Sequence, residues 1–145
     1  MKFEYPEDQE FFAHLLTDGD IEKLNKECSV LFDFRHQGIK RWEFNKTRKK
    51  LLEELVKKHN SICQLKIHPE CTNDNGFEPD HIIPISSNIL NKELRNLKGG
   101  NGLKTLTQDF GSNDIRNLTL ACKKCNARKK NKILTGAVLR RLLGL

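Results

Sequence analysis

What the last thirty residues lack is acid. Residues 116–145 carry nine bases and no Asp or Glu, whereas residues 1–30 carry eight acids and three bases. Residues 31–60 lean the other way, with nine bases against four acids. The net charge of +7 is therefore segregated along the chain, and a one-sign segment of this kind attracts polyanions, phosphate backbones being the usual partner. Other absences narrow the class. No stretch reaches the ~18 consecutive apolar residues expected of a membrane span, so no membrane role is expected. The opening "MKFEYPEDQEFF" has no basic segment followed by an apolar one, so no signal peptide is read there and a cytoplasmic setting is expected. There is no internal repeat and no low-complexity tract. At 145 residues the chain suits one domain, or one domain with an extension.

Periodicity and turn residues divide the chain. "YPEDQEFFAHLL" predicts a helix, with Pro6 near its start, acids in the first turn and Phe11, Phe12, Leu15 and Leu16 as its apolar face. "TDGD" is a turn, and "IEKLNKECSVLF" a second helix that carries Cys28 toward the core. Gly38 is expected to break the chain before a long helix, "RWEFNKTRKKLLEELVKKHN", with Trp42, Leu51, Leu52, Leu55 and Val56 as its stripe. Beyond it the texture changes. "SICQLKIHPEC" reads as a short strand running into a turn, and "GFEPDHIIP" and "IRNLTLAC" read as strands. "NILNKELRNL" reads as a short helix, "KGGNG" as a loop, "KKCNARKKNK" as a basic helix start, and "TGAVLRRLLGL" as a closing amphipathic helix.

Five cysteines without a secretion signal argue against a disulfide framework, and the odd count agrees. Cys122 and Cys125 form "CKKC", a spacing that lets two thiolates reach one tetrahedral ion from a tight turn. A redox CxxC would want a βαβ context that the pattern does not offer. Cys63 and Cys71 supply the second pair across a wider loop. His68, separated from Cys71 by two residues in "HPEC", is the alternative to Cys63. A site filled by four protein ligands is structural, so the expected ion is a Zn²⁺ staple between the two halves of the sequence.

"DHIIP" poses a different question: why an Asp and a His stand side by side at the head of an apolar run. Adjacent strand residues point to opposite faces, so Asp80 can hold a cation while His81 activates water. The order of cysteine pair, "DHIIP", "NL" and "CxxCNxxK" over residues 47–132 resembles the HNH endonuclease family. That resemblance implies an α+β fold whose core is a ββα-metal finger with zinc-stapled strands, preceded by a mainly helical N-terminal extension. It implies His81 as general base, and Asn117 as the residue that pins the loop between the strands and orients the His. Asn113 is the alternative to Asn117. Asp80 and Asn126 become ligands of a catalytic Mg²⁺ or Mn²⁺, because a carboxylate and an amide oxygen form a hard donor set. Arg128, Lys129, Lys130 and Lys132 follow on the same helix, with Lys129 the foremost candidate for a phosphate contact.

The expected division is a helical extension over 1–40 and a nuclease domain over 41–145, with its core at 61–132 and an insert at 86–114. The expected activity is hydrolysis of double-stranded DNA to 5′-phosphate and 3′-hydroxyl ends. One such unit cuts one strand, so a double-strand cut takes a homodimer or two nicks. A zinc-stapled binder without activity, or the same site acting on RNA or single strands, is the alternative.

Overall fold

Two short strands carry the site, and both owe their place to what flanks them. In the computed structural model, which describes residues 1–74, 76–97 and 104–145, β1 (Phe77–His81) pairs antiparallel with β2 (Leu118–Cys122). The register sets Phe77 opposite Cys122, Pro79 opposite Leu120 and His81 opposite Leu118. Pro79 lacks an N–H, which a strand with one free edge tolerates. β1 stops at His81, and Ile82 and Ile83 run on out of the sheet into complete burial. The order of elements is α1 (Pro6–Thr17), α2 (Ile21–Glu27), α3 (Gln37–Lys58), β1, α4 (Ile89–Leu94), β2, α5 (Lys123–Lys129) and α6 (Gly136–Leu143). This is an α+β arrangement with a two-stranded sheet. No helix among the described residues is long and apolar enough to cross a membrane.

α1 begins at Pro6, whose fixed φ suits a first helical position, and ends where Asp18 turns left-handed at φ 55°. Its buried face, Phe12, Ala13 and Leu16, joins Phe3, Leu24, Phe32 and Phe110 around Ile82, Ile83, Leu90 and Leu139. Phe12 meets Phe32 and Phe110 edge-on, with ring centroids 5.1 Å apart in both pairs. The N-terminal helices thus share one core with the residues that follow His81. Cys28 is buried in that core, as its position on the apolar side of α2 predicts. α2 is shorter than the sequence suggests: it stops at Glu27, and Ser29–Leu31 form a separate 3₁₀ turn.

α3 corrects two expectations. Gly38 does not break the chain; it lies in the first turn, and its N–H donates to the His36 ring, 3.0 Å away, which caps the helix. Trp42 is not on the apolar stripe. It is 62% exposed, with the Lys46 ammonium 3.4 Å above its ring. Phe44 and Leu55 are the buried residues, and they pack on Leu118 and Leu120 of β2. Helical spacing favours this stripe, because 44, 51 and 55 lie on one face and 42 lies nearly half a turn off it.

The short strand expected to open 61–71 does not form, whereas the turn after it does, closed by the Cys71 N–H to the His68 carbonyl at 3.0 Å. Only one backbone bond, Gln64 N–H to the Leu120 carbonyl at 2.8 Å, runs alongside β2. Asn60, Ser61 and Lys66 have positive φ, which interrupts extended structure and coils the segment around its cysteines. The "KGGNG" loop lies outside the described residues. The long connection between the strands is held elsewhere, by paired bonds between Ser87 and Gln108 and by the buried Asp8 carboxylate, which accepts from Arg95 and Gln108.

At Gly111 the connection passes the backbone of β1's continuation so closely that a Cβ would lie 1.9 Å from the Ile83 carbonyl oxygen. Both sides of that contact are backbone, so neither can rotate away. Gly111→Ala should therefore destabilise the fold by about 3 kcal/mol or more, at the upper end of overpacking effects. The urea midpoint, read with an unchanged slope, checks this; a midpoint equal to wild type would refute the close approach.

Candidate active site and metal centre

The four cysteines of the expected set converge. The sulfurs of Cys63, Cys71, Cys122 and Cys125 all lie within 4.8 Å of one another, and those of Cys71 and Cys122 are 4.0 Å apart. Tetrahedral Zn–S bonds of ~2.3 Å put sulfurs about 3.8 Å apart, so the cluster needs only a small contraction to close on an ion. Backbone donors already point at the sulfurs. The N–H of Cys125 reaches Cys122 Sγ at 3.4 Å, and the N–H of His68 reaches Cys125 Sγ at 3.4 Å. Burial works to raise the Cys122 thiol, but N–H donors from Cys125 and Thr72 and the neighbouring sulfurs bring it down to about 7. His68 takes part through its backbone. Its Nδ1 accepts from the Glu70 N–H at 2.9 Å, which engages the ring locally. Donor chemistry, number and spacing all fit zinc, with Cys63 rather than His68 in the set.

This cluster ties the start of α5 to the segment before β1, and α5 in turn packs on both strands. Asp80 and His81 then face opposite ways, as their strand positions require. Asp80 turns to α5 and is 4% exposed. His81 turns to α3, where Phe44 meets its ring edge-on at 4.6 Å.

Asn117 and Asn113 divide the work that the sequence assigns to one residue. Asn117 is fully buried and holds backbone. Its Oδ1 accepts from Ile83 N–H at 2.8 Å, and its Nδ2 donates to the carbonyls of Ile83 at 3.0 Å and Ser112 at 2.9 Å. It pins the connection but does not touch the His81 ring. Asn113 does, with Oδ1 2.9 Å from Nε2. The Nδ2 of Asn113 donates to the Lys40 carbonyl at 2.8 Å, so its oxygen end must face the ring. An amide oxygen only accepts; Nε2 therefore carries the proton and Nδ1 keeps its lone pair. Burial pushes the His81 imidazole down to about 4, against the hydrogen bond it donates to Asn113, so the ring is neutral at pH 7.

Lys40 completes this frame. Its ammonium is buried and donates to the carbonyls of Asp33, Ile85 and Gly111 at 2.6, 3.0 and 2.9 Å. Burial brings it down to about 8. Sequence reading missed Lys40 and left Asn113 as second choice. Lys40 had one usable signal: it lies four residues before Phe44, on the stripe that faces the core. Asn113 had none, because its partners are remote in sequence.

Lys129 departs from expectation. Its side chain is fully buried, and its ammonium lies 3.2 Å from Asp80 Oδ2 while donating to the His81 carbonyl at 2.8 Å. It neutralises Asp80 and is not placed to meet an external phosphate. Arg128 and Lys130 remain exposed. Burial nevertheless raises Asp80 to about 6, with Lys129 opposing it. Asp80 Oδ2, though close to the ammonium, has no hydrogen-bond donor aligned with it. Asn126 gives its Nδ2 to Glu78, and this leaves the amide oxygen as its uncommitted end. Asp80, His81 and Asn126 all line one cleft of about 370 Å³, together with Arg41, Lys130 and Asn131. Asp80 and Asn126 line this one cleft, and a carboxylate and an amide oxygen are hard donors, a set suited to Mg²⁺ or Mn²⁺.

Residues 107–132, spanning Asn113, Asn117, β2, the CKKC turn and Asn126, match the model of the HNH endonuclease family. This is the family that the sequence motifs resemble, and the match points to a nuclease or nucleic-acid-binding function. No curated protein and no solved structure matches the chain.

Purified protein should carry about one tightly held zinc per chain, since closing such a cluster is coupled to folding. Cys63→Ser and Cys122→Ser should each release it and fold poorly, while His68→Ala keeps it. Elemental analysis beside circular dichroism reads both; zinc lost from His68→Ala but kept by Cys63→Ser would reverse the ligand set.

Proposed function

We propose that the chain is a metal-dependent endonuclease that hydrolyses phosphodiester bonds in double-stranded DNA, with β1, β2 and α5 acting as a ββα-metal finger. The observation that carries this reading is the meeting of Asp80, His81 and Asn126 on one cleft, with a neutral imidazole whose tautomer is set by Asn113. In this proposal residues 1–40 are a helical extension to a nuclease domain over 41–145, although α3 bridges that boundary.

His81 Nδ1 takes a proton from water, whose oxygen attacks phosphorus; the P–O3′ bond breaks, the 3′ oxygen leaves and takes a proton from solvent water, and His81 returns its proton to solvent. The products are a 5′-phosphate and a 3′-hydroxyl. Asp80 and the Asn126 oxygen would hold Mg²⁺ or Mn²⁺, which supplies positive charge for the scissile phosphate and its leaving oxygen. Asn113 keeps Nε2 protonated so that Nδ1 remains the basic nitrogen. Asn117 holds the backbone on which both depend. Lys129 offsets part of the Asp80 charge, so that the carboxylate stays ionised in its buried setting. Arg128 and Lys130 remain candidates for phosphate contact. A double-strand cut would come from a homodimer or from two nicks.

One observation favours a second reading. With Lys129 against Asp80 and Glu78 holding Asn126, the cleft has an internal cation in place, as a nucleic-acid binder without activity would. Supercoiled plasmid incubated with Mg²⁺, Mn²⁺, Co²⁺, Ni²⁺ or Zn²⁺, followed by end-mapping, separates the two. The endonuclease nicks in Mg²⁺ or Mn²⁺; binding without nicking in every metal establishes the second reading.

His81→Ala should lower turnover by ~10²–10⁴ with DNA affinity near wild type. Asn113→Ala should lower it by about 10- to 100-fold, the usual cost of releasing a partner that orients an imidazole. Asn126→Ala should reduce cleavage in every metal, and Asn126→His should shift it toward Co²⁺, Ni²⁺ or Zn²⁺. Full turnover by the His81 variant would end its assignment as base.

A further inference from the structure

Resting on the reading that this cleft cuts phosphodiesters, we propose that the Arg41–Asn45–Arg48 face of α3 seats the backbone of duplex DNA beside His81. Three observations carry it. First, at about 100° per residue these three positions share one narrow face of the helix. They line a second cleft of about 220 Å³ together with Pro79, His81 and Ile85. Arg41 also lines the larger cleft, opposite Lys130 and Asn131 of the segment that follows α5. His81 therefore lies between a basic helix wall and a basic α5 wall.

Second, these arginines have no carboxylate of their own. Arg35, Arg95, Arg116 and Arg140 are each paired with an Asp or Glu. Among the described residues Arg41 and Arg48 form no such pair; Arg41 makes only a long contact, 3.5 Å, to the Gln37 amide. The acids of α3 point elsewhere: Glu43, Glu53 and Glu54 lie about a third of a turn or more away, and Glu43 is taken by Arg35. A guanidinium fork without an internal carboxylate, exposed on a cleft wall, suits a phosphate.

Third, the face is rigidly set relative to the reacting bond. Phe44, on the same helix, packs on the His81 ring. Lys40, one residue before Arg41, is clamped to three carbonyls. Seven helical residues separate the arginines by ~10 Å, more than one phosphate group spans. They therefore address different phosphates. Phe44 also lines the smaller cleft, but it is buried with its ring against His81 and offers no platform of the kind that binders of single strands use for base stacking. Trp42 lies about a quarter turn away and is covered by Lys46. Backbone contact to a duplex is what this surface offers.

The test measures fluorescence anisotropy of labelled duplex and single-stranded oligonucleotides over a salt series, with no added divalent cation. Plasmid cleavage is run in parallel. Arg41→Ala and Arg48→Ala together should weaken duplex binding by about tenfold or more and lower the slope of log K against log salt by roughly two. Lys50→Ala with Lys57→Ala, which removes equal charge from the opposite face of α3, should leave affinity and slope as in wild type. If wild type cuts plasmid but the arginine variant binds duplex with unchanged affinity and slope, this inference fails and the proposed activity stands. If the arginines matter for duplex binding but no metal supports cutting, the surface stands and hydrolysis falls. Tighter, arginine-dependent binding of the single strand overturns the duplex assignment. Wild type that binds no duplex overturns both proposals.

Discussion

Asn117 fastens residues 82–117 into a closed excursion, and the site depends on that fastening. Its amide takes three backbone bonds, and its own carbonyl accepts the Ile82 N–H at 2.8 Å. At a net ~1 kcal/mol for each bond formed, and more for each buried group left without a partner, one side chain outweighs any local preference of this segment. It locks the end of β1 against the start of β2, directs Ile82 and Ile83 into the N-terminal core, and delivers Asn113 to the His81 ring. Gly111 and Lys40 act in the same region: one lets backbones approach closely, the other neutralises the carbonyls gathered there.

Among the described residues, the charged side chains that are fully buried have partners. Lys40 meets three carbonyls, Asp8 meets Arg95 and Gln108, and Asp80 meets Lys129. Breaking a buried pair costs more than forming it gains, which makes these positions poor places for substitution. The Lys129–Asp80 pair has a further consequence. It lets a carboxylate exist inside the protein beside a neutral imidazole, two groups whose protonation states burial pushes in opposite directions from their ordinary charge. Environment separates acid from base here, although the two residues are neighbours in sequence.

The basic and acidic segments acquire meaning only once they are folded. The acids of residues 1–30 are partly used in structure: Asp8 is internal, Asp20 caps α2 through the Lys23 N–H, and Asp18 pairs with Arg140. The bases of 31–60 and 116–145 meet at the cleft from α3 and α5. A charge count along the chain detects both segments but does not tell which bases are internal struts, such as Lys40 and Lys129, and which face outward.

Several features were legible in the sequence because their information is local. The CKKC turn, the helix that starts from it, the pairing of Asp80 and His81 on opposite strand faces, Pro6 at the head of α1, and the burial of Cys28 all follow from spacing over a few residues. The features missed or given a different role have partners far away. Asn113 joins His81 across 32 positions and Lys40 across 73. Lys129 reaches Asp80 across 49 positions. Whether a lysine becomes a strut or a surface charge, and which nitrogen of a histidine carries the proton, depends on donors and acceptors that loop closure brings together. The sequence by itself determined the residue types and their local geometry. The tertiary structure alone decided the protonation pattern and which charges remain free, because both are set by desolvation and by hydrogen bonds between segments that only packing makes neighbours.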